Sequence, residues 1–155
     1  MTNNRKPVLA LFYCQNVPDG RKQERQSLEK KYGGSLRLFP IPCSGRLDPI
    51  HLLRALEEFA DAAYVITCPE GACRNFEGNR RAGKRMERTR AIIRSIGLEP
   101  ERVGMVMGSR EAPKGLPEQV EVLMESIFKM TPSPVHHQGC QPCQYDEIPD
   151  EEKNQ

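Results

Sequence analysis

Strand and helix signals alternate along this chain and predict an α/β fold: a doubly wound, mostly parallel four-stranded sheet with helices on both faces, followed by an extended C-terminal tail. Three observations carry that expectation. Four short apolar runs, at 8–13, 36–43, 62–67 and 103–107, each precede a stretch of helical periodicity. The connections are short, and β-crossover-β units pack back on a sheet with one hand, which puts helices on both faces. From Thr131 onward the composition turns to Pro, His, Gln and acids without an apolar period. This divides the chain into a domain at 1–130 and a flexible tail at 131–155. A total of 155 residues suits one domain with a real core.

Val8–Tyr13 is the first strand; Pro18-Asp19-Gly20 breaks it, and a polar helix over about Arg21–Tyr32 stops at Gly33-Gly34. Leu36 to Cys43 follows, and its two prolines withhold ladder donors, which suits an irregular strand end better than a central strand. Ser44-Gly45 turns the chain. Asp48 is a natural N-cap and Pro49 a natural first helical residue, with Ile50, Leu53, Leu56 and Phe59 marking one helix face. Ala62–Thr67 is the third strand. After a Cys68–Gly78 loop, Ala82, Met86, Ile93 and Ile96 recur at helical spacing until Gly97. Val103–Met107 is the fourth strand, and Pro117 opens a last helix carrying Val120, Leu123 and Ile127.

Composition excludes several functions. A formal charge of +2 and only 6% aromatics without Trp argue against nucleic-acid binding. The N-terminal apolar run, Val8 to Cys14, is shorter than a signal-peptide core and far below the ~20 residues needed to span a membrane. The expectation is a cytoplasmic protein without membrane insertion. Six cysteines in a reducing compartment then point to metal ligation or redox chemistry rather than to a disulfide framework, with inert buried thiols as the alternative.

Cys14, Cys43 and Cys68 each close a strand-like run, and Cys73 follows Cys68 in a Cys-x4-Cys pair. Loops beyond the carboxyl ends of parallel strands converge on one crevice, so these four thiols are the candidate metal ligands. Four thiolates can hold an iron–sulfur cluster, and a binuclear one tolerates ligands from separate loops. Structural zinc also takes four thiolates, but it favours pairs of closely spaced cysteines, of which only one is present here. Ser44-Gly45 and Gly71-Ala72 offer backbone amides, and the helices opening near Pro49 and Asn79 aim their positive ends at the same crevice.

Phe12-Tyr-Cys14-Gln-Asn, Cys43-Ser-Gly-Arg-Leu-Asp-Pro49, and Cys68-Pro-Glu-Gly-Ala-Cys73 continuing through Gly78-Asn79 to Ala82 and Arg85 resemble the delta, or iron–sulfur, subunit of methyl-viologen-reducing hydrogenases over about residues 7–110. That resemblance implies a 2Fe-2S cluster on Cys14, Cys43, Cys68 and Cys73. It also implies a non-catalytic electron-transfer subunit placed between a hydrogenase or formate dehydrogenase and a heterodisulfide reductase A-like flavoprotein. The chain departs from the family pattern at Val17, where a further cysteine is usual, and at Pro69 and Arg74, where histidines are common.

Other readings of the same residues stand beside this one. Cys68-Pro-Glu-Gly71-Ala-Cys-Arg74 satisfies the Cys-x2-Gly-x2-Arg loop of cysteine phosphatases, but Thr67 and Asn75 replace the usual His and hydroxyl residue, and Cys14 and Cys43 have no part in it. A zinc-stabilised interaction module is the other alternative. Arg74–Arg94 is rich in Arg and Lys: either a solvated helix face or, through Arg80, Arg81 and Lys84, a docking surface for an acidic partner. In the tail, His137-x2-Cys140-x2-Cys143 has metal-ligand spacing and is a candidate accessory site, against a plain docking arm. His51 reads as structural or exposed. There is no Gly-x-Gly-x-x-Gly dinucleotide motif.

Overall fold

Leu9, Leu11 and Tyr13 alternate with Ala10 and Phe12, and in an extended chain that alternation sends the two sets to opposite faces. Both faces are covered. The computed structural model, which describes residues 5–69, 77–108, 111–112 and 114–136, shows why. Strand β1 (Leu9–Cys14) lies inside a 4-stranded sheet of order β2-β1-β3-β4, with β2 at Leu36–Ile41, β3 at Ala62–Thr67 and β4 at Val103–Met107. Every pairing is parallel: Leu9 to Cys14 run beside Leu36 to Ile41, Leu9 to Tyr13 beside Ala62 to Ile66, and Ala63 to Thr67 beside Val103 to Met107.

Helices α1 (Lys22–Tyr32) and α4 (Leu116–Phe128) cover one face, where Leu28, Val120, Met124 and Ile127 pack on Leu9, Leu11, Leu36 and Ile66. Helices α2 (Pro49–Glu58) and α3 (Gly78–Ser95) cover the other, where Leu52, Leu56, Met86 and Ile93 pack on Ala10, Ala63, Val65 and Val103. Each fully buried aliphatic side chain contributes about 1.5–3 kcal/mol. The doubly wound arrangement expected from the sequence is therefore present.

The differences from expectation are local. β1 starts at Leu9 rather than Val8, because the Val8 N–H donates to the Asp61 carboxylate at 2.8 Å instead of to a neighbouring strand. β2 is a regular six-residue strand that keeps Pro40 in register opposite Tyr13, and it ends at Ile41 rather than Cys43. It lies at the sheet edge, where half of the backbone donors have no ladder partner and a proline is tolerated. His51 is exposed, but its Nδ1 accepts the Asp48 N–H at 3.0 Å and so closes the start of α2.

Gly104 is required by a ring. A Cβ there would fall within overlap distance of Tyr64 Cε1, and the Tyr64 hydroxyl crosses β4 to donate to Glu101 O at 2.6 Å.

At the opposite end of the sheet from the thiols, Asp61 is fully buried directly before β3. Its carboxylate accepts from Arg5 Nη2 at 2.6 Å, Val8 N at 2.8 Å and Ser133 N at 2.6 Å. Buried Arg102 donates to Asp61 O, to Thr131 O and, through two nitrogens, to Glu99. His136 lies 3.1 Å from Ala60 O. The segment Thr131–His136 is thus tied back on the sheet. No described helix is long and apolar enough to cross a membrane.

Candidate metal centre

The strand order fixes where a ligand site belongs. β1 has β2 on one side and β3 on the other, so the chain reverses its direction of travel across the sheet at β1, and loops leave its carboxyl end in opposite directions. Cys14 is the last residue of β1, Cys68 follows directly on β3, and Cys43 lies two residues past β2. All three thiols are buried and none is in a disulfide.

Cys68 Sγ stands 3.4 Å from Cys14 Sγ. Two thiolates on one tetrahedral metal, with metal–sulfur bonds of about 2.3 Å as for zinc, would lie about 3.8 Å apart. The pair is thus close to the spacing that a shared metal demands. Cys14 Sγ also lies 3.9 Å from Pro42 O, in the stretch that leads to Cys43.

Cys43 occupies the next arm of the crevice. It caps a 3-10 turn, Ser44–Arg46, and the Gly45 N–H donates to its sulfur at 3.4 Å. That turn packs on α3, β1 and β3. Gly45 comes so close to the start of α3 that a Cβ on it would stand 2.8 Å from Gly78 Cα. Only glycine fits there.

The first turns of α3 hold both arms. Asn79 is buried, and its Nδ2 donates to Pro69 O at 3.2 Å and Cys68 O at 3.4 Å, which fixes the exit of β3. Arg85 reaches the other arm: its Nη1 donates to Gly45 O at 2.6 Å and Leu47 O at 3.1 Å and pairs with Asp48 Oδ1 at 3.2 Å. The sequence marks Asn79 and Arg85 only as part of the string that carries the resemblance; what each grips is not readable there, because the acceptors are backbone carbonyls. Asp61 and Arg102 were missed for a similar reason, since nothing local distinguishes a buried charge from a surface one.

The four expected ligands are brought together in part. Cys14 and Cys68 touch, and Cys43 lies in the adjoining turn. Cys73 falls outside the described residues, as do Arg74 of the phosphatase-like loop and His137, Cys140 and Cys143 of the tail. Among the described residues no three His, Cys, Asp or Glu side chains form a metal-binding group. Three buried thiols at adjoining strand ends, two near ligand spacing and one with an amide donor on its sulfur, are a donor set that fits a thiolate-ligated iron–sulfur cluster once a fourth ligand is supplied.

Arg80, Arg81 and Lys84 are positioned on α3 and, with Glu77, line one shallow groove. Arg80 and Glu77 are 3.9 Å apart with both side chains largely in solvent, so this pair adds little stability. The cations therefore stand on the same helix that grips the Cys68 and Cys43 arms.

Known proteins are similar to this chain over most of its length. The vhu iron-sulfur subunit of the F420-non-reducing hydrogenase of Methanocaldococcus jannaschii is 27% identical over 133 residues, covering 85% of this chain and 98% of that protein. The protein of the same name in Methanopyrus kandleri is 31% identical over 108 residues, 69% of this chain and 82% of the relative. A shorter likeness, 38% over 72 residues, links 46% of this chain to 9% of a large component of the ferredoxin:CoB-CoM heterodisulfide reductase of Methanosarcina mazei. Residues 9–131, from the first residue of β1 to just past α4, match the family described as methyl-viologen-reducing hydrogenase, delta subunit, and the chain belongs to that family.

Proposed function

We propose that this chain is an electron-transfer subunit that carries a 2Fe-2S cluster on Cys14, Cys43, Cys68 and Cys73. It relays electrons between a hydrogenase or formate dehydrogenase and a heterodisulfide reductase A-like flavoprotein in the cytoplasm. The observation that carries the reading is the Cys14–Cys68 thiol pair, 3.4 Å apart at the carboxyl ends of adjacent parallel strands, in a chain of this family. Relatives named as hydrogenase iron–sulfur subunits and the likeness to a heterodisulfide reductase subunit support the hydrogenase and heterodisulfide reductase partners.

A bound cluster supplies a one-electron redox couple. The chain's residues supply the rest. Cys14, Cys43 and Cys68 are buried, which shields the centre from water. The Gly45 amide donates to the Cys43 sulfur, and such a donor stabilises the more negative, reduced state. Asn79 and Arg85 fix the backbone that carries two of the ligands. Arg80, Arg81 and Lys84 offer a positive docking face beside the crevice, suited to an acidic partner surface.

The test is elemental analysis with electron paramagnetic resonance of anaerobically purified protein. About two irons and two sulfides per chain are expected, with a signal on reduction. Replacing Cys14, Cys43, Cys68 or Cys73 by Ser should lose the cluster, whereas the Cys140/Cys143 double replacement should keep it. Zinc without sulfide would refute the reading, and colourless protein that hydrolyses p-nitrophenyl phosphate would favour the phosphatase-like use of Cys68 and Arg74.

A further inference from the structure

The Cys43 arm meets α3 through backbone: Gly45 lies against Gly78, with no room for a side chain at the contact. The turn is fixed there by polar bonds. Arg85 reaches from α3 to Gly45 O, Leu47 O and the Asp48 carboxylate, while its own side chain is only 34% exposed. The residue whose carbonyl Arg85 grips most closely, Gly45 at 2.6 Å, is the residue whose amide donates to Cys43 Sγ.

We propose that Arg85 is a positioning residue for Cys43: by gripping the Gly45 carbonyl it aims the Gly45 amide at the Cys43 sulfur and so sets the hydrogen bonding of that thiolate. This rests on the cluster reading for its redox consequence, but not for its effect on the thiol itself. In the cluster-free chain the same grip keeps Cys43 buried at 6% exposure. In the loaded chain the amide held on sulfur raises the reduction potential, because the donor stabilises the extra negative charge of the reduced state. A lysine cannot replace Arg85: all three contacts converge on Nη1 at the tip of the rigid guanidinium, and a lysine ammonium ends one bond short of that position on a flexible stem.

Arg85→Lys and Arg85→Met separate positioning from charge, and Arg88→Met, at an exposed position of the same helix, is the control. The first readout needs no cluster: alkylation of Cys43 by iodoacetamide in the metal-free chain, followed by peptide mass spectrometry. Both Arg85 variants should react at Cys43 about tenfold faster or more, because losing a hydrogen bond from a charged group lets the turn open and expose the buried thiol about that much more often, with Cys14 unchanged. The second readout is the reduced-state paramagnetic spectrum and midpoint potential of the loaded protein. Both variants should show altered g-values and a more negative potential at unchanged helical circular dichroism, and Arg88→Met should match the wild type. Should Arg85→Met fail to fold, Arg85→Lys decides alone.

If Arg85→Lys behaves as wild type in both readouts, the guanidinium acts only as a charge or as scaffold, and the proposal is overturned. Uniformly faster alkylation of Cys14 and Cys43 would also overturn it, by showing general loosening instead of positioning. A wild-type chain that takes up no iron and sulfide would refute the cluster reading alone, because the Cys43 alkylation result stands without it.

Discussion

Replacing Asp61 by Ala should destabilise the protein strongly while leaving the thiol end of the molecule untouched. Asp61 is fully buried and accepts three hydrogen bonds, two of them from the backbone N–H groups of Val8 and Ser133. Truncation leaves both amides without their acceptor, at about 1–3 kcal/mol each. Arg5 contributes less, because its side chain is 34% exposed and can turn to water. The sum, about 2–6 kcal/mol, is a large part of the 5–15 kcal/mol that holds a typical domain together. For a domain of this size each kcal/mol moves the melting temperature by about 2–4 °C, so a fall of about 4–24 °C is expected. Asp61→Asn keeps one acceptor oxygen and should fall between the two. The assay is thermal and urea unfolding by circular dichroism, together with the paramagnetic spectrum of the loaded protein. Asp61 and Cys68 flank the six residues of β3, about 23 Å apart along the strand, so the spectrum should match the wild type. A melting temperature within about 2 °C of wild type would refute the reasoning.

The remaining predictions concern one ion pair and one surface. Hydrogen bonding from Arg102 holds the Glu99 carboxyl below its ordinary value of 4.5, so the pair's contribution is complete above about that pH and is lost as pH falls through the lower folded value. Glu99→Gln should therefore cost stability at pH 6, by about 1 kcal/mol or less because Glu99 is half exposed, and the difference from wild type should shrink steadily as pH falls below 4.5. A difference that stayed constant across that range would contradict the assignment. Charge reversal at Arg80, Arg81 and Lys84 should slow electron transfer to the partner, most visibly at low salt, with iron content unchanged; indifference at every ionic strength would remove α3 as the docking face.

The fold was legible because its signals are local and repeated. Four apolar runs separated by amphipathic stretches leave few arrangements other than a doubly wound sheet, and Pro40 correctly pointed away from the sheet centre. The chemistry of the site was legible as far as cysteines at strand ends can show it, since strand order brings Cys14 and Cys68 into contact from positions 54 apart in sequence. What could not be read is what holds those ends still. Asn79 and Arg85 act on backbone carbonyls, which every residue possesses, so no pattern of side chains announces the partner. Asp61 is similar: its acceptors serve Val8 and Ser133 amides that are remote in sequence, and burial of a charge depends on the tertiary structure around it.

The two ends of the sheet are built from different materials, and this bears on function. At the amino end, charged groups are buried and saturated: Asp61 and Arg102 tie the chain before β1, the start of β3 and Thr131–His136 into one rigid node. At the carboxyl end the groups that matter are thiols on loops, whose backbone is held by a few hydrogen bonds from α3. Because α3 carries Asn79, Arg85 and the cations Arg80, Arg81 and Lys84 on one continuous helix, a partner that grips those cations also bears on the element that frames the ligands. On the docking reading proposed above, a partner on those cations would bear on the same helix that holds the Gly45 carbonyl through Arg85, so a shift of α3 would be felt at the Cys43 turn, whose sulfur takes the Gly45 amide.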